Sequence, residues 1–286
     1  MISRLFKPRK KPDAPTAPAV PDGTAVWAIG DVHGRLDLLK PLLDAVLADA
    51  AATRADRKVV IFLGDYVDRG PESRGVIQHL TDLPRDTEVE WRFLMGNHER
   101  TMLDFLVDPS AGVKWCEYGG IETLQSYGLR LPQMRHKPEV WVRLSADLDH
   151  RLTSAERAFL EALELSVEIG DYFFSHAGAR PGQPLSRQSP EDLMWIRRSF
   201  LDSPVGFERV VVHGHTPTAE VHCDHRRLGV DTKAYESGVL TALRLIGQDR
   251  ALIQTRMVSA ATEGAERPIE VVHRALPDSI RQPIPV

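Results

Sequence analysis

Residues 25–34 read AVWAIGDVHG, and residues 59–70 read VVIFLGDYVDRG. Each begins as a short apolar run, stops at Gly-Asp, and passes into a polar loop closed by glycine. Near-continuous apolar runs of this length suit strands buried on both faces, not strands with one wet face. The pattern recurs at 90–97 (EWRFLMGN), 168–176 (EIGDYFFSH) and 209–215 (RVVVHGH). A sixth run, GVLTALRLIG at 238–247, has no polar terminus.

Helical stretches alternate with these runs. In Arg35–Ala52 the residues Leu39, Leu42, Leu43, Val46 and Leu47 fall at helical spacing, while Pro41 predicts a late start or a kink. Pro71–Leu83 and Glu99–Val107 read as the next helices. Thr153-Ser-Ala-Glu156 has capping-box spacing, and Ser189-Pro-Glu-Asp192 puts an N-cap and an N1 proline before LMWIRRSFL. Strands alternating with helices predict an α/β layered architecture. The stretch from Glu99 to His176 is longer than one crossover needs. Residues from about 101 to 165 therefore read as a helical insertion packed beside the sheet and walling a cleft.

Outward from this region the chain thins. Residues 1–23 carry five prolines and five basic residues (Arg4, Lys7, Arg9, Lys10, Lys11) with little to bury, which predicts an extended, solvated tail. Residues 259–286 read as a loosely held C-terminal tail, leaving one domain over 24–258. Of the 286 residues 42% are apolar and 27% charged, enough to bury a sizeable core and unlike a disordered chain. The apolar runs fall far short of a membrane span. A formal charge of −4 gives no basic footprint for nucleic acid. Cys116 and Cys223 lie far apart and outside any CxxC pair. This argues against a disulfide framework or thiolate zinc site and for a cytoplasmic setting.

Ligands of α/β sheets bind outside the carboxyl ends of the strands. Here those ends carry Asp31 and His33, then Asp65 and Asp68, then Asn97, His98 and Glu99, then His176, then His215. Carboxylate and amide oxygen with imidazole nitrogen is the donor set of Zn, Mn and Fe. A single G-D-x-H-G arises by chance in roughly one such sequence in several hundred. Several in order, each closing an apolar strand, do not arise by chance.

GDVHG, GDYVDRG, GNHE, SHAG and GHTP together resemble the calcineurin-like metallophosphoesterase superfamily, in particular bacterial and phage PPP-type serine/threonine protein phosphatases. The resemblance covers about residues 24–247. It implies two β-sheets packed as a sandwich and flanked by helices. It also implies two divalent metal ions, Mn2+ foremost with Fe or Zn as alternatives. Asp31 and His33 would hold the first, Asp65 would bridge, and Asn97, His176 and His215 would complete the second. His98 would be the general acid, oriented by Asp68, and Arg69 and Arg197 would hold phosphate oxygens. The Arg197 assignment rests on the short WIRR match, with Arg198 its neighbour and substitute. His213 is left out, because the family's ligand follows the glycine. The remaining histidines lack a motif.

Two ions about 3.5–4 Å apart can clamp the attacking and leaving oxygens of an in-line displacement and provide hydroxide at neutral pH. No nucleophilic side chain is then needed, so no phosphoenzyme is expected. The reaction expected is hydrolysis of phosphate monoesters, phosphoserine and phosphothreonine of proteins foremost. Symmetrical diadenosine tetraphosphatases share GDVHG but usually carry Ala in place of Asp68 and a GHW-type motif in place of GHTP. A dinucleotide hydrolase is the near alternative, and a catalytically dead phosphate-binding module the distant one. Two departures stand out: Pro217 replaces a histidine found in many metallophosphoesterases, and Lys233 replaces a glycine after Asp231-Thr232.

Overall fold

The computed structural model describes residues 17–84, 88–131, 137–258 and 267–276. The basic cluster at 4–11, His136 and most of the proposed C-terminal tail lie outside the described residues.

Strand β1 (Thr24–Ile29) explains the unbroken apolar run. Its side chains alternate between faces, so Ala25, Trp27 and Ile29 enter one apolar cluster while Val26 and Ala28 enter another. Both faces are dry. Strands β2 (Arg57–Phe62) and β3 (Val89–Phe93) lie parallel beside it. The chain then builds a second sheet from β4 (Ser166–Ile169), β5 (Tyr172–Ser175), β6 (Val210–His213), β7 (His222–Cys223) and β8 (Arg227–Gly229). It returns to the first with β9 (Val239–Ile246), β10 (Asp249–Met257) and β11 (Ile269–Ala275). The strand orders are β11-β10-β9-β1-β2-β3 and β4-β5-β6-β8-β7. Val59, Ile61, Phe174, Val210 and Val212 fill the space between the sheets with Val26 and Ala28. The result is the expected two-sheet sandwich flanked by helices.

Helices cover the outer face of the first sheet. They are α1 (Leu36–Ala52), α2 (Ser73–Thr81), α3 (Asn97–Val107), α4 (Gly112–Glu117), α5 (Gly120–Ser126), α6 (Pro138–Arg151) and α7 (Ser154–Glu161). Both bonds of the predicted capping box form at Thr153 and Glu156. Helix α8 (Pro190–Trp195) starts as predicted, with Ser189 Oγ accepting from the Asp192 amide.

The structure departs from the sequence reading in five places. Helix α1 starts at Leu36 and runs through Pro41 instead of starting late. EIGDYFFSH is a hairpin, because Gly170 at φ 57° turns the chain between β4 and β5. Helix α3 begins at Asn97, which puts Asn97 and His98 on its first turn. Residues 17–20 are docked: Ala19 exchanges backbone and side-chain hydrogen bonds with Asp171, and Val20 is buried. Within the stretch read as a loose C-terminal tail, β11 pairs with β10 from Ile269 to Ala275. An edge strand with no fully buried side chain leaves no dry face to announce itself.

Candidate metal centre and active site

Parallel pairing aligns the ends of β1, β2 and β3 in the first sheet and of β5 and β6 in the second, and the loops after them meet: His176 bonds the Leu63 carbonyl and the His215 amide bonds Asp31. Those loops are held in unusual backbone. Among the described residues, the non-glycine positions with positive φ are His33 (44°), Asp65 (52°), Asp68 (73°), Arg69 (68°), His215 (62°) and Lys233 (59°). All but the last are predicted site residues, and such conformations persist only where surrounding bonds enforce them. Lys233 keeps the left-handed conformation that suits the glycine expected there.

Glu99 enforces much of it. Its Oε1 accepts from the amides of Tyr66 (2.7 Å) and Val67 (3.1 Å), and its Oε2 from those of Asp65 (2.9 Å) and Gly96 (3.1 Å). One buried carboxylate thus ties the loop after β2 to the start of α3.

Two clusters of metal-capable side chains result, sharing Asp65: His33, Asp65 and His98, and Asp65, His176 and His215. Asn97 Oδ1 lies 2.9 Å from His176 Nε2 and so joins the second cluster. Asp31 falls outside both: Oδ2 accepts from the His215 amide at 2.9 Å, and Oδ1 is buried without a partner. Arg69, Asn97, His98 and Arg197 line one cavity of about 610 Å3 beside the clusters; Arg198 starts a short helix instead. His213 is held away by the Gly214 carbonyl and Arg227, and none of His79, His150, His222, His225 and His273 is buried.

The residues fit divalent cations. His33 donates its Nδ1 proton to the Val67 carbonyl and His176 its own to the Leu63 carbonyl, both at 2.9 Å, which leaves each Nε2 with a free lone pair. The His176 lone pair faces Asn97 Oδ1 and, at 3.3 Å, Asp65 Oδ1, an array of acceptors with no proton to share. Burial lowers His176, takes His33 down to about 3 and His215 to about 2, so these rings are neutral donors at physiological pH. Burial works against the charge of Asp65 too, but the surrounding histidines hold it low, while three other carboxylates are in the opposite difficulty. Burial and repulsion from Asp231 and Asp65 raise Asp31 well above the usual range; burial and Asp65 raise Glu99 to about 8. Burial chiefly raises Asp231 to about 6. A site this short of positive charge is relieved by cations.

His98 differs from the other histidines. Nδ1 donates to Asp68 Oδ2 at 2.6 Å. Burial disfavours its cation, yet Asp65 and Asp68 outweigh burial and bring it up to about 9. Asp68 is itself fixed by the insertion, since Trp115 Nε1 donates to Oδ2 (2.8 Å) and Thr123 Oγ1 to Oδ1 (2.6 Å). Arg69 donates its amide to the Gly119 carbonyl and Nη1 to Tyr235 Oη at 2.5 Å, with the guanidinium 4.7 Å over the Tyr235 ring. Gly119 has φ 111°, and a Cβ there would lie 2.6 Å from Arg69 Cγ. The sequence reading placed Glu99 at a strand end without giving it this role, and it missed Trp115, Thr123 and Tyr235 as parts of the site. Only Glu99, inside GNHE, carried a signal.

Residues 24–239 match the family model of the calcineurin-like phosphoesterases. The chain belongs to that family. The phosphoesterase is 27% identical to the asymmetrical bis(5′-nucleosyl)-tetraphosphatase PrpE of Halalkalibacterium halodurans over 229 residues, covering 76% of this chain and 88% of that protein. It is 26% identical to serine/threonine-protein phosphatase 1 of Salmonella typhimurium over 237 residues, covering 77% and 91%. In fold it is similar to a putative diadenosine tetraphosphatase (TM-score 0.53, 18% identity, covering 90% and 98%). It is also similar in fold to a point mutant of a cold-active protein tyrosine phosphatase (0.51, 17%, covering 82% and 80%). Among the described residues no helix of the phosphoesterase is long and apolar enough to cross a membrane.

Proposed function

We propose that this phosphoesterase hydrolyses phosphate monoesters, with phosphoserine and phosphothreonine of proteins as its substrates, in the cytoplasm. The His98–Asp68 pair carries the reading. A serine or threonine ester leaves as an alkoxide, which needs a proton, whereas a phosphoanhydride leaves as a phosphate and gains far less from an acid. A buried histidine whose Nδ1 donates to a fully bonded carboxylate meets the first need.

Arg69 and Arg197 bind the equatorial oxygens of the phosphate, as planar guanidinium forks do. Asp31, His33 and Asp65 are assigned to one cation, and Asp65, Asn97, His176 and His215 to the other. Bound there, Mn2+ or another divalent ion would stabilise charge on the phosphoryl oxygens and make water a nucleophile at neutral pH. His98 gives its Nε2 proton to the departing oxygen while Asp68 stabilises the ring's orientation. No side chain is asked to form a bond to phosphorus.

A second reading, cleavage of dinucleoside tetraphosphates, is favoured by the likeness to the bis(5′-nucleosyl)-tetraphosphatase and by two exposed aromatic side chains, Tyr118 and Trp195, on the cavity. The test is kcat/KM for a phosphothreonine peptide and for diadenosine tetraphosphate, measured side by side on Mn2+-loaded protein. The peptide is expected to be the better substrate. Faster cleavage of the dinucleotide overturns the first reading in favour of the second.

A further inference from the structure

The cavity beside His98 does not end at the two arginines. A second cavity of about 650 Å3 shares Asp104, Lys114 and Trp195 with it, so a single groove leads from the phosphate position across α3 and α4 to the start of α8. Its lining is mixed in charge. Arg100 is paired with Asp104 one turn along α3, Glu191 stands at the far end, and Lys114 is exposed with no ion pair among the described residues. Trp195 is 39% exposed at the junction of the two cavities.

This lining discriminates between occupants. A polyphosphate chain carries negative charge on every unit and would meet the carboxylate of Glu191 at the far end of the groove, Asp104 being balanced by Arg100. An extended peptide advances about 3.3 Å per residue and can offer an acidic side chain at one position and an apolar one at another. We propose that the groove is a flank-recognition subsite for phosphopeptides, in which Lys114 pairs with an acidic residue near the phosphorylated one and the Trp195 indole packs against an apolar neighbour. The proposal rests on the phosphoprotein reading and adds to it a preference for acidic surroundings.

The test uses full-length Mn2+-loaded protein and phosphothreonine peptides that differ only in carrying Glu or Lys at flanking positions. An exposed ion pair contributes only modestly, and exchanging attraction for repulsion doubles the difference. The Glu peptide is therefore expected to lead by about fivefold in kcat/KM at low salt, and the lead to shrink at high salt. Lys114→Glu is expected to invert the ratio and Lys114→Arg to preserve it. Trp195→Ala should raise KM for both peptides. A wild-type ratio of one, or a ratio that Lys114→Glu does not move, overturns the subsite and leaves the phosphoprotein reading intact. Turnover of p-nitrophenyl phosphate without turnover of either peptide overturns both. If Lys114→Glu slows diadenosine tetraphosphate more than either peptide, the occupant is a nucleotide and the proposal falls.

Discussion

Trp115 and His98 hydrogen-bond the same oxygen: their Nε1 and Nδ1 atoms lie 2.8 and 2.6 Å from Asp68 Oδ2. The insertion therefore does more than wall the cleft. Through Trp115 and Thr123 it fixes the carboxylate that orients the proposed acid.

Trp115→Phe keeps the ring and deletes the donor. Turnover is expected to fall about threefold to tenfold as Asp68 and His98 gain freedom to rotate, because small misplacements of a catalytic group are expensive. KM should change little. The check is steady-state kinetics on p-nitrophenyl phosphate, and a rise in KM at constant kcat would place Trp115 in binding instead.

The pH dependence follows from His98. A general acid works only while protonated, and the bond to Asp68 holds this one up, so turnover should decline on the alkaline side. Asp68→Asn removes one of the two carboxylates that raise it, so the alkaline limb should move to lower pH. An unmoved limb in the variant would assign the alkaline titration to another group.

Because His98 also lies within ligand distance of His33 and Asp65, its role as acid needs a separate readout. His98→Ala is expected to lower turnover by about 10²–10⁴ while bound Mn2+, measured by elemental analysis, stays at the wild-type amount. Loss of metal in step with activity would make His98 a ligand.

Glu99 accepts four backbone amides with two oxygens, and Gln can offer only one oxygen to them. Glu99→Gln should cost about 1–3 kcal/mol through buried amides left without an acceptor. At about 2–4 °C per kcal/mol, differential scanning calorimetry should read a drop of several degrees in Tm.

Chelation supplies the last test. Removing divalent ions should abolish turnover and lower Tm, since a ligand that binds only the folded state stabilises it, and Mn2+ should restore both. Full activity in metal-free protein would remove the basis of the reading.

Much of this was legible in the sequence because buried strands and strand-end loops leave local marks. A dry strand needs an unbroken apolar run, and a loop crowded with ligands needs Asp, His and Asn beside glycine. The meeting of residues as distant as Asp31 and His215 followed from the resemblance of the motifs, whereas the sheet orders, with their antiparallel β9, β10 and β11, did not follow from the sequence. What stayed hidden depends on long-range geometry. Trp115 looks like any core tryptophan until α4 is packed against the loop carrying Asp68, and Thr123 and Tyr235 are equally mute. The β4–β5 hairpin was masked because a glycine turn inside an apolar run leaves the run's composition intact. Strand β11 was masked for the opposite reason, lying at the edge of its sheet with most of its side chains exposed on both faces.

The match to the family model stops at residue 239, where β9 begins, and β9 is the partner of β1 from Ala25 to Ile29. A gene fragment trimmed to that match would strip the partner away and bare a row of unsatisfied amides and carbonyls along β1, one of the two central strands of its sheet. Its natural fate is to recruit the same edge of another copy, giving insoluble material rather than a sluggish enzyme.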